Sequence, residues 1–178
     1  KKLQYNNQDT LRGSNGIGRQ KWNVLHYDIT VKPNIQEQTI TGINIIKYFD
    51  SGNNVLQIDL QEPMVIDSII QNHSALTYTR DKNVYWVNTS SSVKDDASFT
   101  TKMLVIYFKG KPRKAVNPPW DGGWIWKKDK VGNPWVSVAC QGLGASCWYP
   151  CKDVQSDEPD KGAVLRIIVP DSLTGIGN

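Results

Sequence analysis

The stretch Leu25-His26-Tyr27-Asp28-Ile29-Thr30-Val31-Lys32 decides the fold class. Apolar and polar residues alternate through it, so Leu25, Tyr27, Ile29 and Val31 face one side, and Pro33-Asn34 ends the run. A period of two belongs to a strand with one buried face. Further strands are expected at 38–49, 55–60, 64–70, 76–80, 83–88, 99–109 and 162–169, separated by turns such as Ser51-Gly52-Asn53-Asn54 and Asp81-Lys82-Asn83. Two of them break simple alternation. Ile43 and Ile45 share one face while Ile46 and Tyr48 take the other, and Met103 to Phe108 is apolar throughout, which predicts central strands or strands covered on both sides.

Composition supports the same class. Ile and Val total 31 of 178 residues against 16 for Ala and Leu, and only three Glu are present, so strand formers dominate and helix formers are scarce. The expected fold is all-β, an antiparallel sheet or sandwich with long loops in the last third. The six-residue run Met103–Phe108 is the longest apolar stretch, far short of the roughly 20 residues a membrane helix needs. No membrane span is expected. A net charge of +4 lies within the ordinary range for solubility, so nucleic acid is not expected as a partner, even with the basic run Lys109 to Lys114.

The first 20 residues are polar, rich in Gly and Asn, and read as a flexible N-terminal tail. They hold no signal-peptide apolar run, yet the chain does not begin with Met, so a leader removed earlier is consistent with it. A periplasmic or extracellular location is favoured over the cytoplasm.

Tests for chemistry mostly fail. No His-Glu-x-x-His pair, Walker loop, dinucleotide fingerprint or serine nucleophile elbow is present. Cys140, Cys147 and Cys151 can form at most one bridge, their spacing does not suit a structural zinc site, and they read as buried thiols. His26 and His73 read as structural or surface side chains. The acidic group Asp153, Asp157, Glu158 and Asp160 lacks the ligand ladder of a calcium loop and reads as solvated loop charge. Asn72-His73-Ser74 and Asn88-Thr89-Ser90 are glycosylation patterns that matter only in a secreted eukaryotic protein. Five of the seven Trp (Trp120, Trp124, Trp126, Trp135, Trp148) fall in a stretch of 29 residues. They suit packing against a core, or alternatively a surface of a stand-alone β-sandwich module that stacks on glycan rings.

The segment Ala139-Cys140-Gln141-Gly142-Leu143-Gly144-Ala145-Ser146-Cys147-Trp148-Tyr149-Pro150-Cys151-Lys152-Asp153, followed by Ser156 to Lys161 and the strand at 162–169, resembles the end of the N-terminal domain of the aminopeptidase N family of zinc metallopeptidases. Val24 to Ile29, Thr41-Gly42, Leu56 to Leu60 and Tyr107 to Gly110 fall where that domain carries similar strands. Asn117 to Gly123 and Ala139 to Ala145 are similar to a bacterial branch. The resemblance implies a saddle-shaped β domain over residues 21–174, with 175–178 opening a linker to a separate catalytic domain that binds zinc. On this reading the chain has no catalytic or metal-binding residue of its own. It forms one wall of the substrate cleft, its partners being the catalytic domain and the N-terminus of a peptide substrate.

The family places a Gln or Glu nine residues before the Pro of Pro-Cys-x-Asp, against the substrate's free α-amino group. That position here is Gln141, with Gly142 beside it as the second substrate-binding residue. The chain departs from the pattern in two places, with Ala139 where a second Gln is frequent and Ser146 where an Arg is frequent.

Overall fold

The computed structural model describes residues 4, 6–52, 54–89 and 101–177. Among the described residues, a helix α1 (Asn7–Gly13) precedes eleven strands: β1 (Trp22–Asn34), β2 (Thr39–Asp50), β3 (Val55–Asp59), β4 (Val65–Gln71), β5 (Ser74–Ala75), β6 (Tyr78–Asp81), β7 (Val84–Asn88), β8 (Thr101–Gly110), β9 (Gly123–Lys128), β10 (Pro134–Ala139) and β11 (Ala163–Ile167). Residues 99–100 of the strand expected at 99–109, and Ser90 of the second glycosylation pattern, lie outside the described residues.

The strands form three sheets, of order β11-β1-β2-β8-β4-β5, β3-β7-β6 and β10-β9. All pairings are antiparallel except β1 with β11, which is parallel, so the expected antiparallel sheet carries one parallel edge. The long β1–β2 ladder turns at Asn34, whose side-chain oxygen accepts from the backbone N–H groups of Gln36 and Glu37, both at 3.1 Å. An Asx turn of this kind is what Asn at a strand end provides.

One core joins the inner face of the six-stranded sheet to the three-stranded sheet. Ile29, Ile46, Tyr48, Ile69, Leu104, Ile106 and Phe108 pack in the same cluster as Leu56, Ile58, Tyr85 and Val87. Each such side chain contributes about 1.5–3 kcal/mol through loss of apolar contact with water. In the middle of this sheet, a Cβ on Gly42 would sit 2.4 Å from the Phe108 ring, so the aromatic lies directly on the backbone there. The Thr41-Gly42 pair therefore marks a packing contact.

Two expectations need correcting. Leu25 is not on the buried face: the β1–β2 register shifts between Val24 and His26, so Trp22 and Val24 are buried before the bulge, and Tyr27, Ile29 and Val31 after it. One inserted residue reverses the phase of a two-residue period. Met103–Phe108 is central as expected, between β2 and β4, with Leu104, Ile106 and Phe108 on the buried face and Met103 and Tyr107 exposed. The segment 1–20, expected as a tail, instead contains α1, capped by Asn6 and Asp9, and Arg19, whose side chain is completely buried.

Candidate functional site

The site begins with β3. Four consecutive residues of this strand, Leu56 to Asp59, are buried, which requires cover on both faces. Leu56 and Ile58 point into the main core. Gln57 and Asp59, on the alternate positions, meet the segment around Arg19 and the Pro150–Asp153 segment.

Asp59 is the hub. One carboxylate oxygen pairs with Arg19 at 2.6 Å and accepts from the backbone N–H of Asp153 at 3.0 Å, while the other accepts from the Gln57 amide at 2.9 Å. Burial pushes this carboxyl above the usual carboxylate range, although Arg19 and these hydrogen bonds pull it down. The Asp59 backbone also exchanges two hydrogen bonds with Cys151, at 2.8 and 3.1 Å.

The rest of the Pro-Cys-x-Asp segment is equally fixed. The Pro150 carbonyl accepts from the buried Asn44 amide at 2.7 Å. Lys152 donates from its backbone to the Tyr27 hydroxyl and from Nζ to the Trp22 carbonyl, and its ammonium pairs with Asp157. The acidic group is thus not simply solvated: Asp157 holds a buried lysine, and the Asp153 carboxylate accepts from the backbone N–H and hydroxyl of Ser146. The partners come from β1, β2 and β3 and from the loops that carry Ser146 and Asp157.

These bonds hold the loop that follows β10. The loop turns at Cys140, whose carbonyl accepts from the N–H groups of Leu143 and Gly144 at 3.1 and 2.9 Å, and passes through the 3-10 turn Ala145–Cys147. Gly144 has φ +79°, and a Cβ there would lie 2.3 Å from the Asp153 carboxylate, so no side chain fits. The Gln61 amide donates to the Leu143 carbonyl at 2.7 Å and to the Ser146 hydroxyl at 3.0 Å. Ser146, where the resemblance leads one to expect Arg, is therefore buried inside this network.

Gln141 and Gly142 occupy the exposed tip of the turn. Nothing covers the Gln141 side chain within the described residues, and the Gly142 carbonyl accepts from the Arg12 guanidinium at the end of α1. The polar network beside the turn encloses a cavity of only about 20 Å³, lined in part by Arg19, Asp59, Gln61 and Ser146, which is too small for a substrate side chain. The turn presents its groups outward.

The tryptophans divide. Trp124 on β9 stacks on Trp126 at 5.1 Å and meets Trp148 edge-on at 6.1 Å, and Trp148 meets Tyr149, which meets Tyr27 of the main sheet. This aromatic row docks the β9–β10 hairpin, within a region that the sequence reads as mostly loop and short strand. Trp120 and Trp135, by contrast, are 69% and 63% exposed.

Among the described residues, no group of three or more His, Cys, Asp or Glu is arranged to hold a metal ion. His26 lies within β1 and His73 in the β4–β5 turn, remote in sequence from the cysteines. All three cysteines are free, with Cys147 and Cys151 buried and Cys140 half-buried. The roles of Arg19, Asn44, Gln57 and Asp59 were missed from sequence, although polar residues at alternate positions of a strand as apolar as Leu56–Leu60 are a signal for a covered second face.

No family model matches this chain, and no curated protein matches it. Solved structures do. An M1 zinc metallopeptidase from Deinococcus radiodurans superposes with a TM-score of 0.65 at 18% identity, over 87% of this chain and 34% of that one. Leukotriene A4 hydrolase from Saccharomyces cerevisiae gives 0.62 at 18% identity, over 85% of this chain and 24% of that one. A mutant of the Deinococcus enzyme bound to a Tyr-Ser-Ala substrate gives 0.55 at 16% identity, over 84% and 32%. The chain spans about a third or less of these proteins, and the fold it shares with them is that of the N-terminal domain region of M1 zinc metallopeptidases.

Proposed function

We propose that the chain is the non-catalytic N-terminal β domain of a zinc aminopeptidase-like metallopeptidase, that it forms one wall of the substrate cleft, and that Gln141 binds the substrate's α-amino group. The observation that carries this reading is the exposed Gln141 side chain on a turn whose base is fixed by the Pro150–Asp153 network. An ammonium N–H donates to the amide oxygen of Gln141, and the exposed backbone of Gly142 leaves room beside it for the chain end. A neutral amide leaves charge compensation to a carboxylate of the partner domain. Holding one end of the substrate in this way aligns its first peptide bond with chemistry carried out elsewhere. On this reading, zinc and the His-Glu-x-x-His pair that would bind it belong to that partner domain. When bound, the metal supplies Lewis-acid activation of the scissile carbonyl.

The test is kinetic. In the full-length enzyme, Gln141→Ala should lower kcat/KM on aminoacyl anilides by about 10- to 100-fold, the value of one hydrogen bond to a charged group. Gln141→Glu should retain most of it. Unchanged kcat/KM in Gln141→Ala overturns the assignment.

The exposure of Trp120 and Trp135 supports a second reading, a glycan-binding module that stacks sugar rings on these two indoles. Titration of the chain with oligosaccharides should then give a saturable change in Trp fluorescence that Trp120→Ala and Trp135→Ala abolish. A flat titration removes this reading.

A further inference from the structure

The two cysteines that bracket the Gln141 turn face each other. The Cys147 thiol donates to the Cys140 sulfur across 3.8 Å, with both thiols free. Cys140 is half-buried at the end of the β10 segment and Cys147 is buried in the 3-10 turn. Between them run Gln141, Gly142 and Gly144, and the two glycines have positive φ. Cys151, the third thiol, is buried and its backbone is tied to Asp59.

We propose that Cys140 and Cys147 form a dithiol site that reacts with small-molecule disulfides of the glutathione class and closes to an intramolecular disulfide across the Gln141 turn. Cys140 is the attacking sulfur and Cys147 the resolving one. The proposal does not depend on the substrate reading above, since its readout is the thiols themselves.

The chemistry balances in two exchanges. The Cys140 thiolate attacks one sulfur of glutathione disulfide, a Cys140–glutathione bond forms, the S–S bond of the reagent breaks, and the first glutathione leaves as thiolate and takes a proton from water. Cys147, having given its proton to solvent, then attacks the Cys140 sulfur and expels the second glutathione, which is protonated in turn. Two electrons pass from the protein dithiol to glutathione disulfide, yielding one protein disulfide and two molecules of glutathione. The sulfurs must approach from 3.8 Å to a bond length of about 2.05 Å, a movement within the reach of side-chain rotation and adjustment of the glycine-containing turn.

Electrostatics assigns the order of attack. The hydrogen bond from Cys147, helped by one from Trp148, pulls the Cys140 thiol down to about 7 against the opposing effect of burial. The same contact with Cys140 is the largest cause holding the Cys147 proton on, with burial next and the Cys140 charge after it. Once Cys140 is capped by glutathione its charge is gone, and two of these three restraints on Cys147 are relieved. Attack by Cys147 is thereby timed to follow attack by Cys140.

The experiment uses the purified chain at pH 7.5 with glutathione disulfide, followed by alkylation and peptide mapping without reduction. The free-thiol count should fall from three to one, with Cys140 linked to Cys147 and Cys151 still free. Cys147→Ser should accumulate one stable glutathione adduct on Cys140, and Cys140→Ser should react at least tenfold more slowly than the wild type. Three remaining thiols, a stable glutathione adduct on the wild type, a bridge to Cys151, or equal reactivity of Cys140→Ser each overturn the proposal.

Discussion

The Pro150–Asp153 segment and the Gln141–Gly142 turn are neighbours in the chain and opposites in environment. In the first, the backbone groups of Pro150, Cys151, Lys152 and Asp153 each have a protein partner, from Asn44, Asp59, Tyr27 and the Asp59 carboxylate. In the second, one side chain stands exposed and the neighbouring carbonyl is held only from the side, by Arg12. The difference is that between a foundation and a presented group. A binding side chain is most effective when its own atoms are unpaired and everything beneath it is satisfied, because no internal bond must then break on binding.

Substitutions that strip the foundation should cost the most. Asp59→Ala leaves Arg19 buried without a countercharge and should lower unfolding free energy by about 3–5 kcal/mol, read from urea denaturation. A loss below 1 kcal/mol would show that the pair does not anchor the segment. Gly144→Ala places a methyl against the Asp153 carboxylate at a positive φ and should cost about 2–3 kcal/mol. Asn44→Ala removes the only side chain bonded to the Pro150 carbonyl among the described contacts, and about 1–2 kcal/mol should be lost for an unsatisfied buried acceptor.

A pH experiment separates the hub from the network around it. Because burial raises the Asp59 carboxyl in the folded chain, the folded state holds that proton more tightly than the unfolded one. The group's contribution to stability is therefore largest below the unfolded value of about 4, and it falls as pH rises through the folded value. The stability difference between wild type and Asp59→Asn should shift in favour of the variant across that window, as followed by urea midpoints. A shift in favour of wild type would mean that Arg19 outweighs burial.

The smallest effect should fall on the presented group. Gln141→Ala should change unfolding free energy by less than about 0.5 kcal/mol, as expected for an exposed side chain with no partner among the described residues. A large loss would place Gln141 in the foundation and break the contrast.

Much of the fold was legible because strands report on themselves. The alternation from Tyr27 to Val31 and the β-branched runs of β2, β4 and β8 place each strand from nearest neighbours alone. The β9–β10 hairpin was legible only as short strand among loops, because flanking Pro, Gly and Lys residues blur its bounds and its Trp side chains give no clean alternation. The bulge at Leu25 was invisible for the same kind of reason, since a single inserted residue is defined by its partner strand and not by its own sequence. At the candidate site, the family resemblance offered Gln141 as the residue to examine, but not what lies beneath it.

By itself, the sequence determined an all-β chain, a turn carrying Gln141, and a set of cysteines too few for a framework. Tertiary structure alone decided that Arg19 meets Asp59, that Arg12 reaches Gly142, that Asn44 caps Pro150, and that Cys140 and Cys147 share a contact. The physical reason is range. Strand periodicity is set by backbone geometry over a few residues, whereas hydrogen-bond and ion-pair partners are chosen by which surfaces the folded sheets bring together, across separations such as 106 residues for Asn44 and Pro150.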